Sequence, residues 1–340
     1  MQSLPAAEIP VADFRLDRVP FGTKQRFHLV VDRLPGGQAV IFPTLVARGR
    51  AAGKTLLVTG CVHGDEFEGP VATQDVFEKL DVESMRGTFI GIPILNGPAF
   101  TAGTREGGWD HQNLARIFPG SAAGTPSERI ADAFHRYVVP LADFYVDLHA
   151  AGNLYAITRF AGYQVRPGEL GQTQRAGAVA FGLDLVWGST ALPGRSLTTA
   201  GDHGVPAIYV EMSGEGRCRP VDLELTRKGV RNVLAYLGIV DREYPTTEPR
   251  YCFDTVGEDA GHLQVQNTSP TAGLFVPTVE VWQEVAQGDR LGAVRHPDGT
   301  VLAEISADRS GRVLFIRTFP RVFSGEPLAF VLELPEERDR

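Results

Sequence analysis

The sequence contains few cysteines and no long apolar run, and each shortage excludes a class of protein. Its three cysteines, Cys61, Cys218 and Cys252, are odd in number and far apart, which does not fit a disulfide framework and favours a reducing cytoplasm. No apolar stretch approaches the ~20 residues that span a bilayer. Residues 1–5 have neither a basic nor an apolar region, so we expect no signal peptide.

Acidic residues outnumber basic residues in this chain. The formal net charge is −8, so an electrostatic footprint for nucleic acid is not expected. Hydrophobic residues make up 43% of the chain and charged residues 22%, as in ordinary soluble globular proteins. The 340 residues suffice for one large domain or for two, and the sequence does not decide whether the chain forms a homo-oligomer.

The middle of the chain alternates strand patterns with helix patterns, which predicts a mostly parallel α/β sheet. The strands are expected at residues 55–60, 89–95, 144–148 and 207–210, and helices at 70–80, 125–138, 172–181 and 224–237. We assign residues 51–246 to this catalytic domain. Residues 1–50 should form a β-rich extension of irregular short strands packed on it.

Residues 247–340 show turn signals and no long helical pattern, which predicts a small β-sandwich or barrel. A weak repeat supports this, because four residues recur 37 positions later: Val285, Gly288, Leu291 and Val294 become Val322, Gly325, Leu328 and Val331. The pattern resembles the biotinyl/lipoyl-type fold. Carriers of that type need a lysine at a hairpin tip, and Lys228 is the last lysine, so we expect a structural or gating module.

Chemistry-bearing residues follow three of the predicted strands, where ligands bind in parallel sheets. His63 and Glu66 follow the first strand and His149 ends another. Two histidines and one glutamate are the ligand set of a catalytic zinc site with an open fourth position. Glu211 ends a third strand and is the expected general base, although Glu215 is equally placed by spacing.

Other residues are weaker candidates. Arg105 and Arg116 flank one loop and could stabilise an oxyanion. His203, close before the Glu211 strand, and Tyr155, close after His149, could line the pocket. A nucleophilic Cys61 paired with His63 is an alternative, but nothing in the sequence indicates a lowered thiol pKa.

Several motifs between residues 58 and 152 resemble the succinylglutamate desuccinylase/aspartoacylase family of zinc amidohydrolases, and within it the N-acetyl-diaminobutyrate deacetylases. The motifs are Gly60-Cys61-Val62-His63-Gly64-Asp65-Glu66, Asn96-Gly97-Pro98-Ala99, Arg105, Asn113-Leu114-Ala115-Arg116-Ile117-Phe118-Pro119-Gly120 and Asp147-Leu148-His149. The resemblance implies a carboxypeptidase-like three-layer α/β/α sandwich with a mixed eight-stranded sheet and a smaller C-terminal all-β domain.

The resemblance also implies roles for the residues of the site. One Zn²⁺ per chain would be held by His63, Glu66 and His149. Glu211 would be the general base and acid, and Arg105 would polarise the scissile carbonyl. Arg116, together with Asn113, would bind the substrate.

One position departs from the family pattern. The family has an asparagine immediately before the last arginine, where this chain has Ala115. That asparagine and Arg116 would together hold a substrate carboxylate. Either Arg116 acts alone here, or the substrate lacks that carboxylate.

We therefore predict a cytoplasmic zinc amidohydrolase that cleaves a small N-acyl amine or N-acyl amino acid. Its expected partner is a small-molecule substrate rather than a nucleic acid or a membrane. The alternatives are a zinc carboxypeptidase or esterase, and a catalytically inactive binding protein.

Overall fold

The computed structural model describes residues 7–34, 36–257 and 260–334. The residues tested for a signal peptide and the outermost residues of the predicted domains lie outside these ranges. Among the described residues, no helix combines the length and the apolar character needed to cross a membrane.

A ten-stranded mixed sheet forms the centre of the molecule, in the order β1-β2-β3-β5-β4-β6-β10-β8-β9-β11. Its strands β4, β5, β6 and β10 are mutually parallel where they pair, so their carboxyl ends meet at one edge. The strands of the described chain are β1 Ala7–Pro10, β2 Thr23–Arg33, β3 Ala39–Arg48, β4 Ala51–Gly60, β5 Arg86–Ile92, β6 Phe144–Ala150, β7 Tyr155–Ile157, β8 Phe160–Gln164, β9 Leu185–Ser189, β10 Ala207–Met212, β11 Tyr251–Thr255, β12 Gly273–Pro277, β13 Glu284–Val285, β14 Arg290–Arg295, β15 Val301–Ser306, β16 Gly311–Arg317, β17 Arg321–Val322 and β18 Ala329–Leu332.

Helices cover both faces of the sheet. They are α1 Glu68–Lys79, α2 Gly97–Ala102, α3 Pro126–Ala133, α4 Gly168–Phe181, α5 Ser196–Asp202 and α6 Pro220–Tyr236. Shorter 3₁₀ segments are Val11–Asp13, Leu16–Arg18, Leu114–Arg116 and Val139–Leu141, and a π-helical turn spans Phe134–Val138. One core packs α1, α4 and α6 on one face, and a second packs α3 and α5 on the other. The predicted three-layer α/β/α fold is therefore confirmed.

Local sequence explains several of these elements. In β4 the side chains of Leu56 and Val58 enter one core and that of Leu57 enters the other, as expected for a strand buried on both faces. Helix α3 begins with a capping box, in which the side chains of Thr125 and Glu128 accept from each other's backbone N–H groups.

The N-terminal region differs from the expectation of irregular short strands. The strands β2 and β3 are long and antiparallel, and they extend the main sheet instead of packing on it. The sheet has ten strands rather than eight because β1 and β11 are added at its two edges. Pro43 lies within β3, where a missing N–H is tolerated because β5 pairs only with residues from Leu45 onward.

The C-terminal region forms the predicted all-β module. Its two antiparallel sheets, β15-β14-β12-β17 and β13-β16-β18, enclose a separate hydrophobic core. The repeat is visible in the structure, because Leu291 and Leu328 are both fully buried in that core. Strand β7 of the catalytic region pairs with β16, which joins the module to the catalytic domain.

Candidate active site

The chemistry-bearing residues meet at the carboxyl ends of β4, β6 and β10, which are neighbours in the sheet. His63 and Glu66 lie in the loop between β4 and α1, and His149 is near the end of β6. Glu211 lies on β10 directly beside His149 in the strand register. The sheet therefore brings together residues that are far apart in sequence.

The loop that carries His63 and Glu66 is fixed by close backbone contacts. A Cβ at Gly64 would lie 2.0 Å from the carbonyl of Ala99 in α2, so only glycine fits there. Asn96 caps α2 by accepting from the Ala99 N–H, and its side-chain amide donates to the carbonyl of Val62. Helix α2 thus holds the loop against the sheet.

His63, Glu66 and His149 form one compact cluster of ligand-type atoms. Nδ1 of His63 lies 2.7 Å from one carboxylate oxygen of Glu66, and Nδ1 of His149 lies 3.0 Å from the other. The candidate ligand atoms are all within 4.8 Å of one another, and the cluster is almost entirely shielded from solvent. This donor set, with two imidazoles and one carboxylate, fits a divalent metal such as zinc.

The second nitrogen of each histidine also has a partner. Nε2 of His63 lies 3.2 Å from Oδ1 of Asn113, and Nε2 of His149 lies 3.1 Å from Oδ2 of Asp147. An oxygen behind each imidazole fixes the ring so that the opposite nitrogen faces the Glu66 carboxylate, as in histidines that bind a metal.

Asp147 is itself held in place. Thr59 donates to its Oδ1 at 2.8 Å and Ser196 donates to its Oδ2. The buried Asp147 carboxylate therefore has a partner on each oxygen in addition to His149.

The charges of the cluster shift its titration. Burial alone would raise the pKa of Glu66, but the neighbouring imidazoles of His63 and His149 override it and lower that pKa. Burial, together with the charge of Arg105, lowers the pKa of His63 to about 4. His63 is therefore a neutral imidazole at pH 7, which is the form that binds metals.

Glu211 and Arg105 lie at the open side of the cluster. Burial raises the pKa of the Glu211 carboxyl to about 8. Among the residues that the structure describes, no donor bonds the Glu211 carboxylate, which lines the cavity. Nη1 of Arg105 lies 3.3 Å from Nδ1 of His63 and 3.5 Å from Oε1 of Glu66, so its charge sits beside the metal position.

A cavity of about 270 Å³ opens in front of these groups. This volume lies just below the ~300–1,000 Å³ of typical ligand pockets, so a small substrate is indicated. Besides Arg105, two further arginines line it, Arg116 and Arg195. In the described ranges neither pairs with a carboxylate, and the charge of Arg195 contributes, after burial, to a lowered pKa of Arg116.

The two arginine loops touch each other through their backbones. The N–H of Phe118 donates to the carbonyl of Gly194 at 3.2 Å, in an isolated antiparallel bridge. Gly194 has a φ of +76°, and a Cβ there would lie 2.1 Å from the carbonyl oxygen of Arg116. This close approach brings the backbones around Arg116 and Arg195 together, and both side chains line the cavity.

Comparison with known proteins identifies the family of the chain. Residues 52–237 match the model of the succinylglutamate desuccinylase/aspartoacylase catalytic domain. The chain belongs to the succinylglutamate desuccinylase/aspartoacylase family. It is also similar to the N-alpha-acetyl-L-2,4-diaminobutyric acid deacetylase of Halomonas elongata, with 33% identity over 98% of this chain and 97% of that protein. The resemblance read from the motifs is therefore confirmed.

Solved structures of family members have the same fold. A succinylglutamate desuccinylase from a Silicibacter species is 30% identical with a TM-score of 0.82, over 94% of this chain and 98% of that one. The product-bound ectoine utilization protein of Ruegeria pomeroyi is 30% identical with a TM-score of 0.81, over 92% of this chain and 97% of that one.

The remaining predicted residues of this family member lie at different distances from the site. Tyr155 lines the cavity and packs edge-on against Phe315 of the C-terminal module. Asn113 contacts His63 rather than the cavity, so it positions an imidazole. His203 is not brought to the cavity, because α5 begins at the cavity and carries the chain away to an exposed position beside His135.

Two alternatives from the sequence find no support in the geometry. Glu215 is paired with Arg219, whereas Glu211 faces the cavity. Cys61 is fully buried, and burial raises the pKa of its thiol, which is the opposite of what a nucleophilic thiolate needs.

Sequence reasoning missed Arg195 and the cavity residues that come from the C-terminal region. Arg195 follows Pro193-Gly194, a turn signal that could have marked the loop but not its position. Gln264 lies between β11 and β12 and reaches the cavity although it is 148 residues from its partner Arg116. No local pattern predicts such a contact.

Proposed function

We propose that the protein is a zinc-dependent deacylase that hydrolyses the amide bond of a small N-acyl amino acid. The observation that carries the proposal is the meeting of a His–Glu–His cluster with the Glu211 carboxylate, which accepts from no donor in the described part of the chain, in one small cavity. The family membership and the deacetylase relative support the same chemistry.

In this proposal His63, Glu66 and His149 hold the metal. A zinc ion bound by such a set polarises a carbonyl and lowers the pKa of its water to ~7. Arg105 stands on the same side, where its guanidinium stabilises negative charge as it develops on the carbonyl oxygen.

Glu211 moves the proton. Its carboxylate accepts a proton from the attacking water while the new carbon–oxygen bond forms. The protonated Glu211 then gives that proton to the leaving nitrogen as the carbon–nitrogen bond breaks.

Arg116 and Arg195 select the substrate class. Two guanidinium groups with no carboxylate partner among the described residues form a site for an anion, and the carboxylate of an N-acyl amino acid supplies it. Although position 115 is an alanine, Arg116 would not bind the substrate carboxylate alone, because Arg195 lines the same cavity. N-acetyl-L-2,4-diaminobutyrate is the first substrate to test, because the Halomonas relative is named for it.

The test is release of free amine by zinc-loaded protein from N-acetyl-L-2,4-diaminobutyrate, with dipeptides and small esters compared in parallel. Glu211→Gln should retain zinc and lose about 10²–10⁴-fold in kcat, the contribution of a general acid–base. The matched control is Glu215→Gln. Because Glu215 is paired with Arg219, this substitution should leave turnover unchanged.

Metal content by mass spectrometry separates the alternatives. His149→Ala should lose the zinc that the wild type and Glu211→Gln keep. Preferred cleavage of dipeptides or esters would favour a carboxypeptidase or an esterase. Bound zinc without turnover of any amide or ester would favour a binding protein.

A further inference from the structure

Arg116 is anchored by the C-terminal region of the chain. The guanidinium of Arg116 donates to the carbonyl of Ala115 at 3.0 Å and to Oε1 of Gln264 at 3.3 Å. The second of these is its only side-chain acceptor in the described part of the protein. The orientation of Arg116 therefore depends on Gln264.

Gln264 has an unused hydrogen-bond donor at the cavity. It is half-buried, it lines the cavity, and its neighbours Leu263 and Val265 line it as well. A glutamine amide carries one acceptor oxygen and two N–H donors. The oxygen accepts from Arg116, while the nitrogen bonds none of the residues that the structure describes.

The position before Arg116 cannot supply this donor. Ala115 lines the cavity with a methyl group, and its backbone N–H is bonded to Oδ1 of Asn113 at 3.0 Å. Among the residues that the structure describes, the neutral amide that accepts from Arg116 is that of Gln264, which also lines the cavity.

We propose that Gln264 is a specificity-determining residue that holds Arg116 through its oxygen and donates from its nitrogen to the carboxylate of the substrate. The C-terminal region then completes the carboxylate subsite that Ala115 leaves unfinished. This inference rests on the proposed function, since it assigns the substrate carboxylate to the same cavity.

The test measures binding rather than turnover. The probes are N-acetyl-L-2,4-diaminobutyrate and its α-carboxamide, titrated calorimetrically into zinc-loaded Glu211→Gln and into Glu211→Gln/Gln264→Ala. Loss of a hydrogen bond to a charged group should weaken binding of the carboxylate probe roughly ten- to hundredfold. Binding of the carboxamide should be unchanged, because it lacks the charge.

A second variant guards against a merely structural effect. Gln264→Glu keeps the size of the side chain and places a carboxylate against Arg116, so it should weaken the carboxylate probe at least as much as Gln264→Ala. An equal loss on both probes, or no loss on either, overturns the proposal. The proposal is also overturned if Glu211→Gln binds the carboxylate probe and the carboxamide probe with equal affinity, because the carboxylate is then not recognised.

Failure of the proposed function gives a different result. If wild-type protein binds the carboxylate probe through Gln264 but releases no amine, hydrolysis is wrong and the role of Gln264 stands. If amine is released while Gln264→Ala binds both probes as its parent does, hydrolysis stands and the role of Gln264 is wrong.

Discussion

Replacing Gly194 with alanine should separate Arg116 and Arg195, the two arginines proposed to bind the substrate carboxylate. The added Cβ would lie 2.1 Å from the carbonyl oxygen of Arg116 and 2.6 Å from its carbonyl carbon. Non-bonded heavy atoms attract at about 3.5 Å, so one of the two loops must move by about 1 Å. The bridge from Phe118 to Gly194 is the contact that has to open.

The size of the effect follows from that displacement. A misplacement of about 1 Å in groups that position a substrate can cost about 10²-fold in rate, and we expect this loss in kcat/KM on N-acetyl-L-2,4-diaminobutyrate. The α-carboxamide should lose much less, since it does not use the arginine pair. Zinc content should not change, because Gly194 touches none of His63, Glu66 and His149.

Gly204 provides the matched control. Its φ is +71°, close to the +76° of Gly194, but a Cβ there meets no atom within 4 Å. Both alanine variants carry the left-handed strain of about 1–2 kcal/mol, and only Gly194→Ala also carries the clash. If the two variants show the same kcat/KM and the same thermal unfolding, the close approach does not position Arg116 and the reasoning is refuted.

Two further predictions concern the metal cluster and its base. Asp147→Asn replaces one acceptor oxygen of residue 147 by an NH₂ donor, so His149 or another partner of Asp147 loses its acceptor. This should weaken zinc affinity about 10–100-fold in a chelator competition. The control Asp143→Asn, on the same chain segment, should leave zinc affinity unchanged. Equal affinities in the two variants would contradict this. In metal-free protein, burial raises the pKa of Glu211 from 4.5 to about 8, so its contribution to stability is fully present below pH 4.5 and is lost as the pH rises through about 8. Relative to wild type, Glu211→Gln should therefore gain thermal stability as the pH rises from about 4.5 to about 8, and parallel profiles would refute the shift.

The sequence was sufficient to predict where the metal cluster lies, for a physical reason. Strand patterns place His149 and Glu211 at the carboxyl ends of strands, and parallel strands bring those ends to one edge of a sheet. His63 and Glu66 are three residues apart in one loop, so their proximity is local. The capping box at Thr125 was predictable for the same reason, since both partners lie within one helical turn.

Long-range contacts account for what the sequence did not reveal. The chain has 33 basic residues, and only the bridge between Phe118 and Gly194 distinguishes Arg195 from the others as a partner of Arg116. His203 was expected near the cavity because it is close to Glu211 in sequence, but α5 ends away from the cavity and β10 has to run from Ala207 to Glu211 to return to it. The strands expected before residue 50 are longer and more regular than predicted, because the residues of β2 show no clear alternation of burial and Pro43 interrupts the strand pattern of β3.

The residues that the sequence predicted and those that it missed have different chemical tasks. The residues that would hold the metal and move the proton lie on β6 and β10 or in the loop after β4, so their positions follow mainly from the central sheet. The groups that would recognise the substrate come from separate loops, and one of them, Gln264, comes from beyond β11. A change in those loops can alter which acyl compound is bound without moving the sheet. Substitutions in the cavity wall should therefore change which substrate is preferred more than they change the hydrolytic step itself. The paired carboxylate and carboxamide probes measure that preference.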